Sequence, residues 1–163
     1  MVAAVEVLGQ FGAQATIPQI AERAQVGKAT VYRSFPTKEH LLETVTLLCL
    51  RELDERTRAA DCIGGPLEAF RHFVLELFDA LATHRLLAER LADASSPAAM
   101  SVLHSLTEAM ESARDAGLLR EDAGRMDLRV LLCGAVLQLV RLGERDTGVW
   151  RRYADMVVAS LLP

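Results

Sequence analysis

Residues 17–35 read IPQIAERAQVGKATVYRSF, and this stretch predicts two short helices joined by a tight turn. Thr16 precedes it as a hydroxyl N-cap with Gln19 three residues later, which is the capping-box pattern that starts a helix. Residues 25–27 make the turn, and Pro36 ends the second helix. Two short helices around such a turn are typical of a helix-turn-helix, whose second helix enters the major groove of DNA.

The second of these helices, residues 28–34, has one apolar and one polar face. Val31 and Phe35 are four residues apart and therefore point together toward a core. The opposite face suits a DNA groove, because Lys and Arg meet guanine edges or phosphates, alanine allows close approach, and hydroxyls reach phosphate oxygens. A solvated face on any three-helix unit has the same composition, so spacing alone leaves both interpretations open. The polar face consists of Lys28, Ala29, Thr30, Tyr32 and Arg33.

Positive charge is concentrated around the same segment. Residues 16–40 hold four cations against two acids, although the whole chain has a net charge of −4. A short basic segment on an acidic body indicates a local anionic partner. Lys38 falls in the first turn of the following helix, where a cation opposes the helix dipole, and a phosphate bound at that helix end would account for it.

The composition favours an ordinary globular chain. Its 163 residues are 51% hydrophobic and 25% charged, which excludes disorder and suffices for a proper core. No apolar stretch approaches the ~20 residues of a membrane span, and no secretory signal follows Met1, so we expect a cytoplasmic protein with no membrane partner. Cys49, Cys62 and Cys133 are odd in number and fit no metal pattern, which indicates reduced thiols.

Apolar spacing is helical along nearly the whole chain, and no stretch alternates as a strand does. Pro, Gly and N-cap residues, among them Ser96 for the seventh helix and Asp127 for the eighth, divide the pattern into nine helices. We therefore predict an all-α fold with an N-terminal three-helix helix-turn-helix domain at 1–44 and a C-terminal helical-bundle domain at 45–163. The predicted helices span about residues 1–12, 16–24, 28–34, 37–60, 66–82, a short helix from 84, 97–116, 127–143 and 147–162.

The N-terminal residues resemble a known family. Similar residue types recur at fixed offsets, without a gap, in the N-terminal domain of the TetR family of bacterial transcriptional regulators. They are Ala3-Ala4, Gly12, Ala15-Thr16, Ile20-Ala21, Ala24, Val26, Thr30-Val31-Tyr32, Phe35, Lys38-Glu39 and Leu41-Leu42. Residues 117–122 and 127–128 are similar to a segment before the penultimate helix of many members. The resemblance implies a homodimer with an N-terminal DNA-binding domain and a C-terminal domain that binds a small effector and dimerises.

Carried over by position, the resemblance also implies DNA-contacting residues. It places Lys28, Ala29 and Thr30 near bases. It places Tyr32, Arg33 and Ser34 at or near the DNA backbone, and Thr16 and Lys38 on phosphates.

The sequence departs from the family pattern at three places. Gln25 stands where the family usually has a turn glycine, and a positive φ costs a non-glycine residue on the order of 1 kcal/mol. Either the turn is reshaped or Gly27 takes the strain. Gly27 itself replaces a serine that often caps the recognition helix, which weakens that cap. The family usually has more of the first helix and a basic arm ahead of the position of Ala3, and the sequence does not tell whether an arm exists.

The last two predicted helices carry more apolar surface than a monomer needs. Residues 128–142 are apolar almost all round, and 147–162 repeat the pattern. This predicts a homodimer that buries both helices against a second copy, which would present two recognition helices to a palindromic operator. A central helix inside its own domain is the alternative.

Helices five to seven, together with Cys133, supply candidates for the lining of an effector cavity. Apolar lining with few polar groups is typical of effector sites, and equally of any core. The candidate ligand-binding residues are Phe70, Phe73, Phe78, Met100, Leu103, His104, Met110 and Cys133.

No motif indicates an enzyme. The sequence has no Gly-rich phosphate loop, no paired-His metal motif and no nucleophile elbow. Glu68, His72 and Glu76 share one helical face, which we interpret as solvated and charge-balanced. We therefore expect no catalytic site, metal or cofactor, but a ligand-responsive repressor that binds double-stranded DNA and an unidentified small molecule. The alternatives are a helical-bundle enzyme or apolar-ligand carrier that binds no DNA, and an interaction adaptor with a degenerate helix-turn-helix.

Overall fold

The computed structural model describes residues 1–60, 64–93 and 95–163, and it confirms the predicted all-α fold class. No strand occurs in that part of the chain, and each helix lies within a few residues of its predicted position. The α-helices among the described residues are α1 (Val2–Phe11), α2 (Ile17–Arg23), α3 (Lys28–Ser34), α4 (Lys38–Ala60), α5 (Gly65–Thr83), α6 (Arg85–Ala92), α7 (Pro97–Asp115), α8 (Arg125–Leu142) and α9 (Thr147–Ala159).

Helix starts follow the caps that the sequence contains. The capping box predicted at α2 is present: Gln19 N–H donates to Thr16 Oγ1 at 3.4 Å, and Thr16 N–H donates to Gln19 Oε1 at 2.8 Å. Ser96 Oγ accepts from Ala99 N–H at 3.1 Å and starts α7 in the predicted way. These caps use N–H groups that would otherwise lack partners in the first turn.

The start of α8 differs from its prediction. Asp127 was predicted to cap this helix, but α8 begins at Arg125 with Gly124 as its N-cap. Asp127 instead lies in the first turn, where its Oδ2 accepts from Gly124 N–H at 2.9 Å. A carboxylate at this third helical position still accepts from an N–H group at the start of the helix, so Asp127 stabilises the N-terminus from the first turn and not from the N-cap position.

α5 is the central helix of the bundle and packs against α4, α7 and α9. Its inward face is fully enclosed, with Phe70, Leu77 and Phe78 at 0% exposure. The Phe78 and Trp150 rings meet edge to face at 5.9 Å between centroids. Trp150 Nε1 also donates to Glu144 O at 3.1 Å, which satisfies the buried indole. The α5–α9 contact is therefore a dry, well-packed core.

α4 connects the N-terminal three helices to this bundle. It runs without a break through residues 44 and 45, where we predicted the domain boundary. The N-terminal helices also touch the bundle directly, because α1 and the following 3₁₀ turn (Gly12–Gln14) pack against α6. The orientation of α3 thus depends on α6 as well as on α4.

The helices and the cysteines bear on membrane spans and on thiol chemistry. None of the helices in the described ranges is both long and apolar enough to cross a membrane. Cys49 is buried and Cys133 is half-buried, and both are free thiols, whereas Cys62 lies outside the described residues. Burial raises the pKa of the Cys49 thiol to about 11.

Candidate nucleic-acid interface

α3 docks on the N-terminal core by one narrow face. Val31 is its one buried residue, and Phe35, just past its end, is half-buried against the same core. α2 supplies the facing apolar surface with Ile20 and Ala21, both at 3% exposure. Because α3 is only seven residues long, this contact leaves the rest of its surface to solvent.

The polar face of α3 points outward, as the sequence pattern predicts. Tyr32 is 50% exposed. Neither Lys28 nor Arg33 forms an ion pair with any residue that the structure describes. Two cations, a phenol and two hydroxyls are therefore available to an external partner. The exposed residues of α3 are Lys28, Ala29, Thr30, Tyr32, Arg33 and Ser34.

The turn between α2 and α3 is closed by Gln25. Gln25 has φ 56°, in the left-handed region, while Gly27 has φ −71°. Gly27 therefore does not take the strain, and Gln25 itself adopts the left-handed conformation, which is a third outcome beside the two that we expected. Val26 N–H donates to Ala21 O at 3.0 Å, which fixes the turn after the end of α2. Gly27 is the N-cap of α3 and offers no side chain to it.

Thr16 and Lys38, the two predicted phosphate contacts, already have partners within the protein. The exposed Thr16 hydroxyl donates to Gln19 Oε1 at 2.9 Å. Lys38 is half-buried, and its Nζ donates to Ala13 O at 2.7 Å. This bond accounts for a cation at the start of α4 without an external phosphate. Since an ammonium has three protons, the bond leaves two of them for other acceptors.

The predicted effector residues do not surround one cavity. Phe70, Phe78 and Met110 are at 0% exposure in the core. Met100 is 62% exposed on α7. The His104 side chain is 75% exposed, with Nε2 at 3.6 Å from Glu108 Oε1. The expectation that these residues line an internal cavity is therefore not met, because the apolar ones fill the core and the others lie on the surface.

The remaining three candidates are half-buried: Leu103, Cys133 and Phe73. Phe73 lies in an open cleft between α4, α5 and α7, which consists of two adjoining grooves of about 490 and 340 Å³. Both grooves contain Phe73, Asp54, Arg58 and Ser105. Sequence analysis did not single out the three polar residues, since a polar helix face has the same pattern whether it borders a cleft or open solvent.

Charged residues on α4 and α5 are partly paired with one another. Arg58 Nε donates to Asp54 Oδ1 at 3.0 Å along α4. Glu76, on the face that we interpreted as solvated, approaches Arg56 Nη1 at 3.6 Å. This ion pair agrees with a charge-balanced face.

Two short helices, α2 and α3, that are joined by a tight turn and expose a cationic face on α3 form a helix-turn-helix. Residues 1–45 match the family model described as bacterial regulatory proteins, tetR family. Over 98 residues, the chain is 33% identical to the HTH-type transcriptional repressor KstR of Mycolicibacterium smegmatis. This alignment covers 56% of the chain and 48% of the relative, so it spans about half the length of that curated protein.

Solved structures extend the likeness to the whole chain. The TetR transcriptional regulator SCO0520 from Streptomyces coelicolor superposes with a TM-score of 0.69 at 29% identity, covering 99% of this chain and 95% of that one. The fatty acid degradation regulator FadR from Bacillus halodurans shares the fold, with a TM-score of 0.67 at 21% identity and coverage of 98% and 96%. Residues 1–45 thus match the TetR family of bacterial regulatory proteins, and the chain as a whole has the fold of a TetR regulator.

Proposed function

We propose that this protein is a transcriptional repressor that binds a palindromic DNA operator as a homodimer and responds to a small-molecule ligand. The observation that carries the proposal is the outward face of α3, where Lys28 and Arg33 have no ion-pair partner among the described residues. An unpaired cationic helix face of this size matches the major groove, which admits one α-helix. KstR, the curated relative, carries the name of a transcriptional repressor.

Within this proposal, the exposed residues of the N-terminal domain fall into two groups, those that contact bases and those that contact the DNA backbone. Lys28, Ala29 and Thr30 lie in the first turn of α3, which is the part of a recognition helix that contacts base edges. The later residues Tyr32, Arg33 and Ser34 approach the DNA backbone. Thr16, at the start of α2, and Lys38, at the start of α4, lie at helix ends that suit phosphate contacts.

The dimer is proposed on α8 and α9. Met126 and Val130 on α8 are 70% and 61% exposed, and Met156 on α9 is 56% exposed. Half-buried Leu137 continues the α8 face, and Tyr153 continues that of α9. Exposed apolar side chains that recur along two adjacent helices suit burial against a partner. A two-fold contact between two copies would bury it and hold two α3 helices at one separation.

The cleft between α4, α5 and α7 is the proposed effector site. The cleft borders α4, and α4 carries Lys38 of the DNA-binding domain at its other end. A ligand that prefers one tilt of α4 changes the separation of the two α3 helices. Such coupling is typically worth ~1–3 kcal/mol between two conformers.

Selection from a random DNA library, followed by fluorescence anisotropy, tests the proposal. We expect an enriched palindrome and an affinity that falls with salt as a straight line on log–log axes, because each phosphate contact releases counterions. The chain mass of 17.8 kDa should double in sedimentation experiments. A wild-type protein that enriches no sequence, and whose weak DNA binding shows no salt slope, would contradict the proposal.

A further inference from the structure

Two consecutive residues of α6 reach across to the helix-turn-helix domain. Glu89 Oε2 accepts a hydrogen bond from Ala13 N–H at 2.7 Å, across 76 positions of sequence. The Arg90 guanidinium donates to the Glu39 carboxylate in the first turn of α4, across 51 positions. One short helix of the bundle thus holds the N-terminal domain at two points.

The Ala13 peptide is bound on both of its polar groups. Its N–H donates to Glu89 on α6, and its C=O accepts from Lys38 Nζ on α4 at 2.7 Å. This peptide lies in the 3₁₀ turn that connects α1 to α2. Since Thr16, three residues later, caps α2, the position of the whole helix-turn-helix follows from the position of this turn.

The backbone at this contact leaves no room for a side chain. Gly12 has φ +63°, and a Cβ placed on it would lie 2.5 Å from both carboxylate oxygens of Glu89. Glycine is the one residue that combines this φ with such a close approach. The turn thus packs directly against the carboxylate, and its left-handed φ favours glycine at this position.

The two charged residues are also held in place from the α6 side. Arg85 Nε donates to Glu89 Oε1 at 2.7 Å, one helical turn away. Glu89 is only 25% exposed, so water screens its contacts less than those of a surface ion pair, whereas the Arg90–Glu39 pair is open to solvent on its Glu39 side, at 56% exposure. Behind Glu89 lies a cavity of about 90 Å³ that also borders Arg145, in the segment between α8 and α9.

We propose that Glu89 and Arg90 are positioning residues that fix the orientation of the helix-turn-helix domain on the bundle, and through it the half-site spacing that the dimer accepts. This inference rests on the proposed function for its DNA part. The clamp itself, meaning Glu89 and Arg90 with their partners Ala13 and Glu39, is a property of the free protein. Neither residue reaches the outward face of α3, so both act through Ala13 and Glu39.

Amide hydrogen exchange of Ala13 tests the clamp without DNA. We expect Glu89→Leu to accelerate exchange at this one amide by about tenfold or more, because its acceptor is lost. Glu89→Gln keeps an oxygen that accepts and should stay within about threefold of wild type. Glu121→Leu, on an exposed loop residue, serves as the matched loss of one carboxylate. Unchanged Ala13 exchange in Glu89→Leu would overturn the proposal.

Half-site spacing tests the consequence. Anisotropy titrations use the selected palindrome and versions lengthened or shortened by one or two base pairs. We expect Glu89→Leu and Arg90→Met to reduce the wild-type preference for the selected spacing by about fivefold, while the affinity for one isolated half-site stays the same. Glu89→Gln should restore the preference.

A merely structural role gives a different result. In that case both variants lose affinity equally for every spacing and for the half-site, and the proposal is overturned. Circular dichroism melts identify a variant that fails to fold, and Glu89→Ala and Arg90→Ala then replace it, with Ala13 exchange in Glu89→Ala as the deciding measurement. If the wild type binds no DNA, the proposed function fails and the spacing consequence fails with it, whereas Ala13 exchange still shows whether the clamp exists.

Discussion

The recognition helix α3 and the central helix α5 differ in what their sequence patterns specify. α3 is short and docks by Val31 and Phe35, so nearly every other residue is exposed and acts as surface chemistry. α5 packs against four helices, α4, α6, α7 and α9, and the aromatic residues that suggest a ligand site, such as Phe70 and Phe78, are buried in that packing. Apolar residues on a central helix therefore say little about ligands, whereas polar residues on a one-sided helix say much about partners.

Truncation of α5 gives the largest expected effect. Phe78→Ala removes a ring that contacts Trp150 in a core without space to collapse, so it should lower the free energy of unfolding by about 4 kcal/mol. Phe73→Ala, in the open cleft, should cost less than half as much. Equilibrium urea denaturation at one fixed protein concentration measures both. Equal losses would mean that Phe78, too, faces an open space.

A charge on the proposed dimer face comes next. Val130→Glu should weaken dimerisation by about 3 kcal/mol, because the unpaired carboxylate would be buried between two copies. Met100→Glu has the same exposure on α7, away from that face, and should leave the dimer intact. Sedimentation velocity over a concentration series compares the two. Dissociation caused by both variants, or by neither, would remove the case for the α8–α9 interface.

The surface of α3 itself is tested by base preference. Lys28→Ala should cost about 2 kcal/mol on the selected operator and relax the preference at one base position, since Lys28 is assigned to bases. Tyr32→Phe would remove the proposed contact of its hydroxyl with the DNA backbone and should weaken binding to all sequences similarly. Competition anisotropy with single-base operator variants gives both numbers. An unaltered base preference in Lys28→Ala would show that this lysine contacts phosphate only.

The joint between the N-terminal helices and the bundle, where His84 at the start of α6 lies against α1, should respond to pH. Burial lowers the pKa of His84, whose ring packs against Gly9 of α1, with Glu52 and Arg145 as its charged neighbours. A lowered folded-state pKa means that the unfolded chain binds the proton first. Stability should therefore be complete above the unfolded value of about 6.5 and fall as the pH drops below it.

His84→Gln removes this titration. The loss of unfolding free energy between pH 7.5 and 5.5 should be smaller in the variant than in wild type by about 1 kcal/mol or less. Urea titrations at each pH, with exposed His104→Gln as the control, supply the comparison. Identical slopes in all three proteins would contradict burial of a neutral imidazole at this joint.

The turn before α3 offers the smallest expected effect. Gln25→Gly should raise the free energy of unfolding by about 0.5 kcal/mol, because glycine adopts a φ of 56° without strain. Gln25→Ala keeps the strain and should bring no gain. Thermal melts of the three proteins decide this, and a destabilised glycine variant would mean that the Gln25 side chain makes a contact worth more than the strain.

Local signals in the sequence were enough for much of this structure. The capping box at Thr16 and the helix end at Pro36 each depend on residues no more than four positions apart, and both occur as predicted. The exposed face of α3 follows in the same way from the placement of Val31. The fold class follows from helical spacing together with the absence of strand alternation.

The features that could not be predicted from the sequence depend on residues that lie far apart along the chain. The Glu89–Ala13 contact joins residues 76 positions apart, and no local pattern announces it. The polar cleft depends on how α4 and α7 diverge over Phe73, which only packing determines. The choice between Gln25 and Gly27 as the strained turn residue also needed backbone angles. The DNA-contacting and ligand-contacting roles stay predictions.

The length of α4 determines how far a small rotation at one of its ends displaces the other end. Its 23 residues extend for about 34 Å at the usual helical rise. If the end beside the cleft pivots by about five degrees, the opposite end swings by roughly 3 Å, which is close to the rise of one base pair. A rotation of only a few degrees at the cleft would thus displace the DNA-binding end of α4 by about the spacing of neighbouring base pairs.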